Sequence, residues 1–146
     1  MSFLLNPSFE EGSTGWSRVN VEHAVSYKIL GGVGARSGEN VLSVSTTEPS
    51  GSIAQDVNVP GGVASVSCFA WVRAKNNTQV EGTLALWQLS PSPQRGMPAR
   101  FTVGPQWQLV TCTVGFSNIG ASKRIRAEIY VGTVNQDLYV DSVNAF

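Results

Sequence analysis

Apolar and polar residues alternate with a period of two along most of the 146-residue chain, and helical spacing of apolar residues is weak throughout. The alternation predicts strands over residues 17–29, 40–46, 52–59, 64–74, 79–89, 99–103, 106–116, 123–131 and 136–146. Turn signals separate them: Gly31-Gly32, Ser37-Gly38, Pro49-Ser50-Gly51, Pro60-Gly61-Gly62, Asn76-Asn77, Pro91-Ser92-Pro93 and Gly104-Pro105. Glycine permits positive φ and proline fixes φ, so such pairs end a strand and reverse the chain. Many short strands with this punctuation make an all-β sandwich or barrel. The stretch 90–98 carries Pro91, Pro93 and Pro98, which predicts the longest loop and no sheet pairing. With no linker run and no internal repeat, residues 1–146 are expected to form one domain.

The alternation can be phased. In one strand Cys68, Ala70, Val72 and Ala74 share a face, while Phe69, Trp71 and Arg73 point the other way. In another, Ile125, Ala127, Ile129 and Val131 oppose Arg126, Glu128 and Tyr130. In a third, Leu84 and Leu86 oppose Thr83, Ala85 and Trp87. Three strands therefore pair a small or branched apolar face with a face that mixes aromatics and charges.

Composition narrows the function classes. Hydrophobic residues make up 42% of the chain, enough for a packed core. Charged residues are 14%, against roughly 25% in ordinary soluble domains. The formal net charge is zero, which disfavours broad attraction to nucleic acid or to an anionic membrane. No apolar run is long enough for membrane insertion, and no secretory signal is visible at the start. Cys68 and Cys112 lie in apolar alternating segments and read as buried thiols, although a disulfide would need Cβ proximity that a sequence does not show. A single histidine, His23, and the lack of a CxxC pair exclude the usual zinc sites. His23 reads as a surface residue. The glutamates are scattered, without the paired carboxylates of glycoside hydrolysis, so no enzyme is expected. Gly31-Gly32-Val33-Gly34 lacks the lysine of a phosphate loop.

The two ends carry the most specific pattern. The chain opens with Asn6-Pro7-Ser8-Phe9-Glu10 and Gly15-Trp16, and closes with Leu138-Tyr139-Val140-Asp141-Ser142-Val143. Together with Ala70-Trp71-Val72-Arg73-Ala74 and Trp107, these motifs resemble carbohydrate-binding modules of the CenC-like type, families 4, 9 and 22. The resemblance covers nearly the whole chain and implies a jelly-roll β-sandwich of two antiparallel sheets, galactose-binding-domain-like. It also implies a structural Ca²⁺ joining the N-terminal segment to the last strand. Glu10 and Asp141 would supply side-chain oxygens, with backbone carbonyls near Ser8 and in the turn 35–39. That donor set suits a hard cation. The bland alternative is that Glu10 caps a turn and Asp141 bonds to backbone.

In such modules aromatic rings stack on pyranose faces while polar neighbours bind hydroxyls. Trp71, Trp87 and Tyr130, with Arg73, Arg126 and Glu128, are the candidate ligand residues. The same residues also suit a protein–protein contact or simple packing. Trp16 and Trp107 are expected to pack. Two roles follow. One is a non-catalytic module binding a polysaccharide or cell-surface glycan. The other is a virion structural protein, a capsid decoration or tail subunit, that uses the sandwich to contact capsid or tail proteins. An extracellular or virion-surface location suits either.

Overall fold

The computed structural model describes all residues, Met1–Phe146. Its strands are Ser17–Arg18 (β1), Val25–Gly31 (β2), Asn40–Thr46 (β3), Gly51–Val59 (β4), Ser65–Ala74 (β5), Val80–Ser90 (β6), Arg95–Val103 (β7), Gln108–Gly115 (β8), Lys123–Val131 (β9) and Leu138–Ala145 (β10). A first sheet has the order β1-β4-β9-β6-β7 and a second the order β2-β3-β10-β5-β8. All pairings are antiparallel. The result is a two-sheet sandwich, as the alternation and turn signals imply, in the jelly-roll form that the family resemblance implies.

The inward rows follow the sequence phase. Ile125, Ala127, Ile129, Val131, Leu84 and Leu86 of the first sheet meet Cys68, Ala70, Val72 and Ala74 of the second, all in one core. Burying each Leu, Ile or Val side chain contributes about 1.5–3 kcal/mol. In β10 the phase changes. Leu138 and Val140 are buried, and so are Val143 and Ala145, because the register shifts between Asp141 and Asn144. Plain alternation puts Asp141 on the outer face with Tyr139, and the bulge at Ser142, at φ 50°, then lets the core row resume at Val143.

The two ends of the chain lie side by side. The Phe3 amide donates to the Ala145 carbonyl at 2.7 Å, and the Val143 amide to the Pro7 carbonyl at 2.8 Å. Gln55 pins the same N-terminal segment by accepting from the Leu5 amide and donating to the Leu5 carbonyl.

Two expectations are corrected. Residues 17–29 are not one strand. Val21 is left-handed, at φ 49°, and Glu22–Ala24 form a 3-10 turn, so the chain leaves the first sheet after β1 and enters the second at β2. Residues 90–98 are only partly loop: β7 begins at Arg95, and Pro98 pairs in register with Ala85. β7 is an edge strand, where proline is tolerated.

Candidate functional site

The outer face of the first sheet is built from in-register rows. One row is Gly96, Trp87, Arg126 and Asp56; another is Arg100, Thr83, Tyr130 and Ser52; Glu128 stands between them on β9. Residues directly opposite in an antiparallel sheet project to the same side, so Trp87, Arg126, Glu128 and Tyr130 gather on one surface. They line a groove of about 230 Å³ whose walls are Val19 and Asn20 on one side and Leu89 and Gln94 on the other. A second hollow, of about 370 Å³, continues past Tyr130.

Trp87, Arg126 and Glu128 are each held from beneath or beside. The indole of Trp87 lies flat over Gly96, where an added Cβ would come within 2.6 Å of the ring. Arg126 grips Asp56 through Nε at 2.7 Å and Nη2 at 3.1 Å. That pairing draws the Asp56 carboxyl below its ordinary range, chiefly through the hydrogen bond from Arg126. Glu128 is buried, at 2% exposure, and accepts from the Ser52 hydroxyl at 2.5 Å. Ser52 in turn accepts from the Asn20 amide at 2.9 Å, so a hydrogen-bond chain runs from the groove wall to the carboxylate on its floor. The Trp87 indole N–H is enclosed and completes no hydrogen bond. It lies near Tyr130, where it slightly favours the phenolate without reaching bonding geometry. The groove thus offers two ring faces, a fixed carboxylate and a fixed guanidinium. These are the group types that bind a polyhydroxylated ring.

Burial, reinforced by Glu128, pushes the Tyr130 phenol up to about 12 from its usual 10. Between those values the unfolded chain has lost the proton and the folded chain keeps it, so stability falls as pH rises through this window. A spectrophotometric titration should show one tyrosine ionising late, and Tyr130→Phe should remove that step. Loss of a different step instead would show that the phenol is not enclosed.

Trp71 and Arg73 do not join this surface. The sequence phase separates inner from outer faces, but β5 belongs to the second sheet, so these two side chains point away from the opposite side of the sandwich. There they hold down the glycine-rich loop after β2. The Arg36 guanidinium lies 4.2 Å from the Trp71 ring, and Arg73 sits against Tyr139 at 4.6 Å and Trp107 at 5.1 Å. Arg73 also donates to the Val33 carbonyl at 2.6 Å, and the Trp107 indole donates to the Gly34 carbonyl at 3.0 Å.

Glu10 and Asp141 meet the far side of that loop. Glu10 Oε1 accepts from the amides of Glu39 at 3.0 Å and Asn40 at 2.8 Å. Asp141 is fully buried and accepts from the amides of Ser37 and Ser142, each at 2.7 Å. Burial pushes its carboxyl up, and the nearby Glu10 charge adds to the rise. No lysine or arginine pairs with either carboxylate. Two close anions without a cationic partner, one of them desolvated, are a donor set that fits a hard cation. The turn presents amides rather than carbonyls to them, so protein hydrogen bonds already satisfy part of the charge.

Cys68 and Cys112 are buried free thiols, directly opposite each other on β5 and β8. The neighbouring Cys112 thiol, together with burial, pushes the Cys68 thiol up. His23 is exposed and faces Glu48 at 3.0 Å. Trp16 packs on Phe9 in the core. Sequence reasoning missed Asn20, Ser52 and Asp56. Their alternation with Ile53 and Val57 marks Ser52 and Asp56 as outward, but only the β4–β9 register brings them to Glu128 and Arg126.

No protein-family model and no curated protein matches the chain. Solved structures do. TmCBM61, a structure in complex with β-1,4-galactotriose, is 16% identical, with a TM-score of 0.69 over 100% of this chain and 98% of that one. The CBM22-1–GH10 modules of Clostridium thermocellum xylanase 10B, complexed with xylohexaose, are 14% identical at a TM-score of 0.75. The fold is one that carbohydrate-binding modules share. The match spans 99% of this chain and 28% of the xylanase chain. The tailspike protein 4 enzymatically active domain of bacteriophage CBA120 also contains this fold, at 12% identity and a TM-score of 0.70 over 99% of this chain and 21% of that one.

Proposed function

We propose that this chain is a non-catalytic glycan-binding module and that the groove on the first sheet holds a polysaccharide or a cell-surface glycan. The observation that carries this reading is the convergence of Trp87, Tyr130, Glu128 and Arg126 on one groove floor. Trp87, Arg126 and Glu128 are each fixed by a neighbour before any ligand arrives. Preorganisation of that kind lowers the ordering cost of binding. Trp87 and Tyr130 would take the apolar faces of sugar rings, while Glu128 and Arg126 bind hydroxyls. The galactotriose and xylohexaose complexes of the similar structures support the ligand class. Affinity electrophoresis of the wild type through a panel of galactans, xylans and bacterial surface polysaccharides tests it. Retardation by at least one gel, reversed by the matching free oligosaccharide, is expected. Unretarded migration through the whole panel would refute the reading.

The same proposal includes a structural Ca²⁺ at Glu10 and Asp141, away from the sugar. Carbonyls near Ser8 and from the loop 35–39 would complete its oxygen shell.

The tailspike similarity favours a second reading, in which the sandwich is a capsid or tail component and its contacts are with other virion proteins. Light scattering, with and without particles, separates the two. A strict monomer indifferent to any particle would sink the second reading.

A further inference from the structure

The hollow beyond Tyr130 has its own chemistry. It is lined by Glu81, Thr83, Arg100, Thr102 and Tyr130, among others, and at about 370 Å³ it is large enough for a small ligand. It opens on the same outer face as the groove, because Arg100, Thr83 and Tyr130 form one transverse row. Trp87 and Thr83 are four residues apart on β6, about 13 Å along a strand. One extended glycan could therefore occupy both.

Arg100 is the arginine the fold does not use. Arg18, Arg73 and Arg95 donate to backbone carbonyls, Arg124 and Arg126 hold Asp56, and Arg36 covers Trp71. Arg100 alone has neither a hydrogen-bond acceptor nor a ring against it, and no carboxylate lies within 4.0 Å of it, although Glu81 borders the same hollow. A free guanidinium in a concave site is matched by a planar carboxylate, which it binds through two parallel hydrogen bonds. Glu81 opposes a bare anion. It favours a ligand that also brings hydroxyl donors. Thr83 and Thr102 add hydroxyls of their own, and Tyr130 offers an apolar ring edge.

We propose that this hollow is a second subsite that takes a uronic acid residue, with Arg100 binding its carboxylate, so that the module selects acidic over neutral glycans. The proposal rests on the glycan-binding reading and deepens it.

The test compares polyuronates, such as polygalacturonate and alginate, with their methyl esters, which keep the backbone and lose the charge. Binding by the full chain is measured by calorimetry at low and high salt. The wild type should bind at least one free acid about tenfold more tightly than its ester, as a charge-assisted pair would give, and salt should shrink the ratio. Arg100→Gln should bring the ratio to about one, and Arg100→Lys should keep only part of it, lacking the fork. Arg100 is exposed, and an unchanged melting temperature in both variants would show that the fold is intact. A wild type that binds neutral glycans with no preference for any free acid would overturn the subsite and leave the groove standing. A preference that survives Arg100→Gln, or equal affinity for sulfated neutral glycans, would overturn the assignment to Arg100 and a uronate. Binding of no glycan in any form would instead remove the underlying reading.

Discussion

Trp87→Ala should cut glycan retention by roughly 30-fold or more, while Trp71→Ala should leave it near wild type. Aromatic anchors at the centre of a binding surface commonly carry about 2 kcal/mol or more each, and 1.4 kcal/mol is a factor of ten. Trp87 meets that description: it is half-buried in the groove, with its indole braced on Gly96. Trp71 is equally aromatic and equally alternating in sequence, but it faces out of the other sheet under Arg36. The paired variants therefore test the surface itself and not aromaticity in general. Affinity gels or calorimetry would read the difference, with melting temperatures confirming that each variant folds. Equal losses in both would show that the groove has been assigned to the wrong sheet.

Removing Asp141 should produce the largest loss of stability among the polar side chains considered. Its carboxylate is fully buried and accepts two backbone amides, from Ser37 and Ser142. Asp141→Ala leaves both amides unpaired and frees the loop that Arg36 and Arg73 hold from the other side. Hydrogen bonds to a charged group contribute about 1.5–3 kcal/mol each. Part of that is offset by removing a desolvated charge, so a net loss of about 3 kcal/mol is expected. For a chain of this size that lowers the melting temperature by roughly 6–12 °C. The proposed ion gives a second readout. An ion that binds only the folded state raises stability with its concentration, so calcium should raise the melting temperature of chelator-treated wild type and have no effect on Asp141→Ala. Chelation that leaves the melting temperature of a calcium-containing sample unmoved would remove the ion from this site, and the amide contacts would then be its whole content.

How much of this was legible in the sequence depends on which physical signal each feature leaves. Alternation encodes which side of a strand is buried, and it placed Ile125, Ile129, Leu84 and Val72 in the core without error. It does not encode which of two sheets a strand joins. That is why Trp71 and Trp87, both outward, looked like neighbours. The phase change in β10, from Leu138 and Val140 to Val143 and Ala145, comes from the Ser142 bulge, which the expected single strand over 136–146 does not contain. The break at Val21 had no signal, because a β-branched residue is a poor candidate for a left-handed φ. Pro98 misled in the opposite sense, since its cost depends on whether a strand is at an edge, which is a property of topology. The Asn20–Ser52–Glu128 chain joins the turn after β1 to β4 and β9, and only the folded topology brings the three together.

The meeting of the two chain ends sets the direction in which the molecule is displayed. Met1 is fully exposed, the segment behind it runs along β10, and Phe146 packs on Phe69 at the outside of the second sheet. The groove opens from the first sheet. Whatever is joined to either end, whether a bead, a tag, a neighbouring domain or a particle, attaches at the β10 side and leaves the groove turned outward. Immobilisation through either terminus should therefore preserve ligand capture equally well.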